Sequence, residues 1–425
     1  MAASLVFGLM RIWPVIMGET SGWTPTIPVF SVLYGTPLQH LNIYSCYIYP
    51  IAIGIAFLVP ADVALSVWLF FILVHSELMV SHWLGTPLQG EATGPFMSWQ
   101  QAGAFVVFTI MMLWMGRRHI WAVVRKAVGA GADVDDSDEP IGYRFGFWGL
   151  VVSVIGMVVW FTYYGMNPFT ALGMLALMFC ILLVHARLVA QGGVFFVQQS
   201  WNPPQILHGM TAGRAFSQPA AVVAQMQNAI LLQDAREILS GHAVNALRIS
   251  SIFERHRRWF LPVMMVALVL AMGVCSWSTL RAYYDEGGLN TGNDYGMKNL
   301  PTASFDRAHK MIDNPRKSAE PHFGAFVGGA IVMFFVTAMR ARFYWWPVHS
   351  LGFLIANTWP GQTLWFSFFL AWLVKVGIMK FIGGTGLRKT RHFFLGVIVA
   401  EAALVGISAV LGFAGLKVGN LFLPI

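Results

Sequence analysis

The sequence predicts an all-α fold: a polytopic transmembrane helix bundle of about nine to ten membrane helices, with an amphipathic helical segment in the cytoplasm. Of the 425 residues, 57% are hydrophobic and only 11% are charged, against roughly 25% charged residues in an average soluble domain. Nine apolar stretches reach or approach the roughly 20 residues that a helix needs to cross a bilayer. Basic residues cluster in a few of the loops between them, as the positive-inside rule requires of cytoplasmic loops.

The nine apolar stretches lie on both sides of one long polar segment. Their approximate bounds are 43–59, 62–84, 100–115, 145–164, 168–188, 259–280, 323–339, 363–381 and 392–416. Residues 4–17, interrupted by an arginine and a proline, indicate an interfacial or re-entrant piece. Three domains follow from this pattern: residues 1–190 with about five spans, the polar cytoplasmic segment 191–258, and residues 259–425 with the remaining spans.

Charge sets the predicted orientation. Four basic residues follow the third stretch and seven arginines lie between the fifth and the sixth, so both loops are expected in the cytoplasm. The next crossing places residues 281–321 outside as an external loop. Within the polar segment, apolar residues recur at helical spacing over 218–251, which predicts an amphipathic helix or helix pair too polar to span. A packed cap over the membrane helices is the simpler interpretation, and a cytoplasmic gate or docking helix is the alternative.

Several kinds of chemistry are not indicated. Cys46, Cys180 and Cys275 are widely separated in apolar runs, without metal or redox spacing. The glycine-rich stretch 383–390 has Arg388 where a phosphate-binding loop needs glycine. We therefore expect no enzyme activity, no cofactor and no metal site. The net charge of +8 is explained by cytoplasmic loops, so the expected partner is the lipid bilayer and not nucleic acid.

Ionisable residues inside the spans carry functional information, because an unpaired charge at mid-bilayer costs at least about 2.5 kcal/mol. Glu77, Lys375 and Glu401 are such residues. A rise of about 1.5 Å per residue puts Lys375 and Glu401 at depths roughly 9 Å apart on neighbouring antiparallel helices. They form a proton or substrate relay, or they form a structural ion pair, or Lys375 snorkels and Glu401 is paired elsewhere; the sequence leaves these alternatives open.

Histidines in the spans give weaker signals. His75 and His82 share a helical face with Met79, which makes a weak site for a soft metal and is more simply explained by interior hydrogen bonding. His185 and Arg187 lie at the cytoplasmic end of the fifth stretch, where we expect them to act as interfacial anchors.

The segment 340–362, RARFYWWPVHSLGFLIANTWPGQ, is too polar for a lipid-facing helix and too aromatic for a simple loop. If it crosses from about Phe343 to Trp359, the number of membrane crossings places the basic turn after the eighth stretch in the cytoplasm. Seventeen helical residues give roughly 25 Å, just short of the core thickness. We predict a short tenth helix whose polar residues, including His349 and Asn357, face the protein interior or a wet cavity. A re-entrant loop and an aromatic packing seam are the alternatives.

Residues 340–401 resemble the closing domain of a family of uncharacterised bacterial multi-pass membrane proteins related to the oligopeptide transporters. The similar features are the Trp-Trp-Pro-x-His-x-Leu-Gly-Phe run, the Ala-Trp-x-x-Lys helix end, the Gly-Gly turn and the Phe-Phe-Leu-Gly start of the last helix. Residues 49–71 and 100–120 are similar too, so the resemblance covers the chain from about Leu41. Members of that family are usually longer, which implies that this chain is a C-terminal portion and that another polypeptide supplies the N-terminal helices. The family pattern favours an acidic residue at Gln191.

The resemblance implies an integral protein of the bacterial inner membrane that moves a small polar solute, such as a peptide or a metal chelate, by alternating access. Glu77, Lys375, Glu401, His349 and Asn357 are the candidate residues of the substrate or proton pathway. The alternative is an accessory or structural subunit of a larger membrane complex, which the 17 tryptophans and the long polar segment also suit.

Overall fold

A computed structural model describes residues 26–85, 95–130, 134–137, 139–194, 197–232, 238–250, 259–290, 294–315 and 322–413. The predicted interfacial piece at residues 4–17 lies outside the described residues. In chain order the elements are β1 (Thr26–Ile27), α1 (Val29–Leu33), β2 (Cys46–Tyr47), α2 (Pro50–Leu58), α3 (Ala61–Trp83), α4 (Pro95–Ala127), α5 (Tyr143–Tyr163), α6 (Pro168–Gly192), α7 (Pro203–Met210), α8 (Gln218–Leu231), α9 (Leu239–Ser250), α10 (Phe260–Glu286), α11 (Leu300–Asp313), α12 (Phe323–Arg342), α13 (Ser350–Ala356), α14 (Trp359–Phe381) and α15 (Gly383–Phe413). β1 and β2 pair antiparallel.

The predicted all-α polytopic bundle is confirmed. Within the described residues, eight helices are long and apolar enough to cross a membrane: α3, α4, α5, α6, α10, α12, α14 and α15. The first predicted stretch, residues 43–59, is different. It holds β2, a non-helical turn and the nine-residue α2, whose rise is only about 14 Å. This stretch is therefore not one spanning helix.

The chain folds into two compact units. The first comprises the described residues up to Ala104, Gln191–Ser200 and those from Gly324 onward, and the second comprises Phe105–Ala190 and Trp201–Phe323. The predicted division into three domains, at residues 190 and 258, stays a prediction, because each of the two units is assembled from separate segments of the chain.

In the second unit, the stretch 218–251, predicted as an amphipathic helix or helix pair, holds two helices among its described residues, α8 and α9. The buried face of α8 is not the apolar one, since Gln225 is buried while Met226 and Ile230 are exposed. α8 packs against α11, where Gln225 Nε2 lies 3.1 Å from Met311 Sδ. The predicted cytoplasmic segment thus contacts the predicted external loop, so at least one of the two predicted sides is wrong. The prediction assigned each polar stretch to a side from its basic residues alone. That count contains no information on which polar stretches pack against each other, as α8 and α11 do through Gln225.

The first unit contains one arrangement twice. In each copy a non-helical stretch leads into a short helix, and a turn leads into a helix of 23 residues: α2 then α3, and α13 then α14. The two long helices are antiparallel, with Phe71 stacked on Trp365 and Trp68 against Trp372. Each short helix packs on the long helix of the other copy, α2 on α14 and α13 on α3. The packing is therefore reciprocal.

Serine hydroxyls hold the start of both short helices. The backbone N–H of Tyr49, which precedes α2, donates to Ser367 Oγ of α14 at 3.1 Å. The backbone N–H of His349, which precedes α13, donates to Ser66 Oγ of α3 at 2.6 Å. Further along the helices, Phe353 contacts Phe70 of α3, and Val59, just after α2, accepts a hydrogen bond from Lys375 of α14. Residue numbers thus increase together in both pairs, so each short helix runs parallel to the long helix on which it packs. Each short helix therefore runs antiparallel to the long helix that follows it, and two helical hairpins related in this way have the geometry of an inverted repeat.

Candidate functional site

The candidate site lies where α13 ends, inside the first unit. All seven residues of Ser350–Ala356 are buried, and a rise of 1.5 Å per residue makes the helix about 10 Å long. The chain turns at Asn357 and Thr358, whose Oγ1 donates to Ile355 O at 2.7 Å and accepts from Gly361 N at 3.0 Å. A side chain at Gly361 would collide with the last carbonyls of α13, so glycine permits this turn.

This geometry corrects the predicted tenth helix. Residues 343–349 are not helical, and α13 is too short to cross a core of roughly 30 Å. The physical reason is that Pro347 and Pro360, on either side of α13, lack the N–H that a continuous helix needs. The polar residues His349 and Asn357 do face the protein interior, as the sequence predicts, with 3% of each exposed.

Neutral polar groups surround the end of α13. Ser200, in the non-helical stretch after α6, donates from N and Oγ to Gln101 Oε1, both at 2.7 Å. Gln101 Nε2 donates to Leu354 O at 2.7 Å, and Asn357 Nδ2 donates to Ser200 Oγ at 3.2 Å. Asn357 Oδ1 is buried and has no hydrogen-bond partner in the described part of the chain. A buried acceptor without a donor is costly, so this end of α13 suits a ligand that carries a donor.

Two glycines place the glutamines of this network. α4 and α12 come into backbone contact, where a side chain on Gly103 would collide with Phe326 O and one on Gly329 would collide with Gln100 O. Small residues let membrane helices approach this closely. The crossing fixes the height of Gln100 and Gln101 beside α3 and α13.

Glu77 of α3 lies beside this network. Its Oε2 accepts a hydrogen bond from Gln100 Nε2 at 2.8 Å. The residue also lines an open cleft of about 650 Å³, whose walls are mostly apolar and include Phe70, Phe96 and Phe353. The structure therefore brings the predicted candidates Glu77 and Asn357 to neighbouring places, joined through the consecutive glutamines of α4.

Lys375 occupies the corresponding position in the other copy. Glu77 and Lys375 each follow the first residue of their 23-residue helix by sixteen residues. Lys375 Nζ donates to Phe57 O at 3.0 Å and to Val59 O at 2.6 Å. These carbonyls belong to the carboxyl end of α2, where a positive charge is favourable. The end of α2 is thus capped by a cation of the chain itself.

A group of charged residues lies at the start of α3. Asp62 pairs with Arg340 of α12 at 2.6 Å, and both Lys375 and His349 are near enough to interact electrostatically with Asp62. His349 precedes α13, whereas Asn357 follows it. The two residues predicted on one pathway therefore lie at opposite ends of α13.

The remaining predicted residues lie elsewhere. Glu401 is fully buried in α15, and its predicted pairing with Lys375 stays a prediction. In the second unit, His185 is 2% exposed with its ring against Phe105. Arg187 is exposed, and the anchor role predicted for His185 and Arg187 stays a prediction.

The two histidines of α3 make separate contacts. His75 Nδ1 lies 2.9 Å from Phe71 O of the same helix, and the ring of His82 stacks on His40 at 3.5 Å between centroids. The described residues contain no cluster of three or more His, Cys, Asp or Glu side chains that could hold a metal ion.

A family model matches residues 2–423, nearly the whole chain. The chain belongs to DUF6785. This is a family of unknown function. The DUF6785 chain matches no curated protein and no solved structure. The eight apolar helices make this DUF6785 member a multi-pass membrane protein by length and composition, and a more specific function has to be argued from its site.

Proposed function

We propose that this DUF6785 protein moves a small polar solute across a membrane by alternating access, and that the solute binds where α13 ends. The observation that carries the proposal is the inverted repeat of helical hairpins in the first unit, with Asn357 Oδ1, buried and unpaired among the described residues, at the turn of one hairpin. Secondary transporters place their substrate and ion sites at discontinuous helices of inverted repeats. Buried non-helical backbone at membrane depth is tolerated where it lies in protein or lines a cavity.

The groups at the site suit the binding of a polar solute. Asn357, Gln101 and Ser200 are neutral groups that form hydrogen bonds. The resemblance to relatives of the oligopeptide transporters supports a peptide or a metal chelate as the solute, with the bacterial inner membrane as the location. We include both in the proposal.

Uptake by reconstituted vesicles tests the proposal. Vesicles with the full chain should accumulate a tritiated tripeptide under an imposed pH gradient. Asn357→Ala removes the unpaired acceptor and its bond to Ser200, and it should lower the initial rate about tenfold, the equivalent of about 1.4 kcal/mol. Asn290→Ala, at an exposed asparagine of the second unit, is the matched control. Equal rates for both variants, with both thermally stable, would remove Asn357 from the site.

An accessory subunit of a larger membrane complex is the second candidate. The observation that favours it is the exposure of two long apolar helices: none of the residues of α10 is buried, and α5 buries only Phe161. Such faces meet either lipid or another polypeptide. Purification in a mild detergent separates the two functions, because stoichiometric co-purification of another subunit supports the accessory role and an isolated, uptake-competent protein supports transport.

A further inference from the structure

We propose that the cleft beside Glu77 binds a monovalent organic cation, an ammonium or similar group carried on an apolar body. This inference goes beyond the proposed function by assigning a second site, and it concerns binding alone. Three properties of the cleft lead to it: an unbalanced negative charge, walls without free donors, and a volume of about 650 Å³.

The charge of Glu77 is not balanced by an ion pair with any of the described residues. Its carboxylate accepts a hydrogen bond from Gln100, a neutral amide, and none of the ion pairs of the described residues includes it. Asp62, fifteen residues earlier on the same helix, pairs with Arg340. Lys375, at the matching position of the other copy, is satisfied by the carbonyls of α2. A carboxylate at membrane depth requires a cation or a proton, and the cleft leaves room for the cation.

The walls select the kind of cation. Phe70, Phe96 and Phe353 line the cleft together with aliphatic side chains, and aromatic faces beside a carboxylate favour ammonium groups with apolar substituents. The two hydroxyls in the lining, Ser76 and Ser81, each donate to a carbonyl of their own helix, at 2.7 Å. An anion or a sugar would therefore find few donors. The volume lies in the range of pockets for small organic ligands, and a bare metal ion would leave most of it unfilled.

The cleft is accessible from the surface of α3. Leu73, Val80 and Leu84 line it and are exposed by 48%, 45% and 73%. α3 is one of the helices able to span a membrane, so an amphiphilic cation dissolved in the bilayer can reach the carboxylate along this face. Phe70 and Phe353 of the lining are buried, and their rings lie 5.3 Å apart.

Equilibrium dialysis of the purified full chain in detergent tests the proposal. The probe is tritiated tetraphenylphosphonium, and tetraphenylborate, with nearly the same shape and the opposite charge, is the competitor. We expect one saturable site that tetraphenylborate does not compete for. Glu77→Gln keeps the size of the side chain and should weaken binding about tenfold or more, as the loss of a charge partner predicts. Glu286→Gln, at an exposed carboxylate of the second unit, should leave binding unchanged.

A second variant separates charge from shape. Val332→Trp fills the cleft without altering Glu77 and should also abolish binding. Binding that survives both cleft variants would overturn the proposal, as would equal binding of the borate. If the phosphonium does not bind and Glu77→Gln removes a pH dependence of thermal stability, the site takes a proton and the proposal is wrong. Phosphonium binding without tripeptide uptake would instead contradict the proposed function and leave this inference standing.

Discussion

Glu77 and Lys375 show how the same helix position can serve two purposes. Each follows the start of its long helix by sixteen residues, yet one is acidic and the other basic. The ammonium of Lys375 lies against two carbonyls, which complete its coordination from within the chain. The carboxylate of Glu77 faces a cleft. One copy of the repeat is therefore closed by its own side chain, and the other is open to a ligand.

Lys375 should contribute to stability and not only to charge. Lys375→Met keeps the length of the stem but leaves Phe57 O and Val59 O without their donor, which should lower the free energy of unfolding by about 1–3 kcal/mol. Lys380→Met, five residues later at an exposed lysine, is the control. Thermal unfolding in detergent measures both variants, and a melting temperature of Lys375→Met equal to that of Lys380→Met would show that the ammonium is dispensable.

At the scale of elements, the short helices are what the sequence predicts least well. Composition and stretch length suffice for the eight long helices, because each is apolar over about 20 residues. α2 and α13 lie in stretches of similar hydrophobicity, and hydrophobicity does not show where a helix is interrupted. Pro50 and Pro347 are visible in the sequence, but proline also begins ordinary helices. Only the packing of each short helix on the other copy distinguishes a proline beside a short, interrupted helix from a proline that begins an ordinary long helix.

The site is only partly predictable from the sequence, because only some of its polar residues are unusual where they occur. Glu77 and Asn357 are recognisable, because a charge in a span and an asparagine in an apolar run are unusual. Gln101 and Ser200 are not, since Gln101 lies at the start of an apolar stretch and Ser200 in the polar segment, where polar residues are common. The sequence signal that could have indicated them is the Gln100-Gln101 pair directly before an apolar run. Their role depends on contacts across 99 residues of chain.

Close packing of α13 on α3 depends on Gly352. A side chain there would collide with the backbone of Ser66, and backbone cannot rotate out of the way. Gly352→Ala should therefore push the two helices apart and cost about 1–3 kcal/mol, as overpacking does elsewhere. Gly377→Ala, on the open side of α14 with no atom within 4 Å, should be neutral. Thermal unfolding compares them, and similar stability of the two variants would contradict the close approach.

At the scale of the whole molecule, contacts within the first unit determine which of its helix ends lie on the same side. Arg340 pairs with Asp62 at the start of α3, and Lys375 is bonded to the residues just before that start. The ends of α12 and α14 therefore lie on one side of the unit, and Leu84, after the end of α3, lies on the other. The basic turn that begins α15 follows α14 directly, so it belongs to the side of Arg340.

Cysteine labelling in sealed vesicles tests this arrangement. In a chain without native cysteines, Tyr344→Cys and Thr385→Cys should react with a membrane-impermeant maleimide from one face, and Leu84→Cys should react from the opposite face. All three native residues are exposed, so side-chain accessibility does not bias the comparison. Labelling of Thr385→Cys together with Leu84→Cys would mean that α14 runs the other way relative to α3.

The reciprocal packing of the short helices also means that α2 is synthesised well before the helix on which it packs. Lys375 and Phe57 are 318 residues apart, so α2 leaves the ribosome long before the helix that covers it exists. At about 5–20 residues per second, the wait is roughly 15–60 s. During that time α2 has neither α14 to pack on nor an ammonium for its carbonyls. The nascent first copy must be sheltered by the insertion machinery, and a chain that stops before α14 leaves a permanently unfinished membrane segment for quality control to remove.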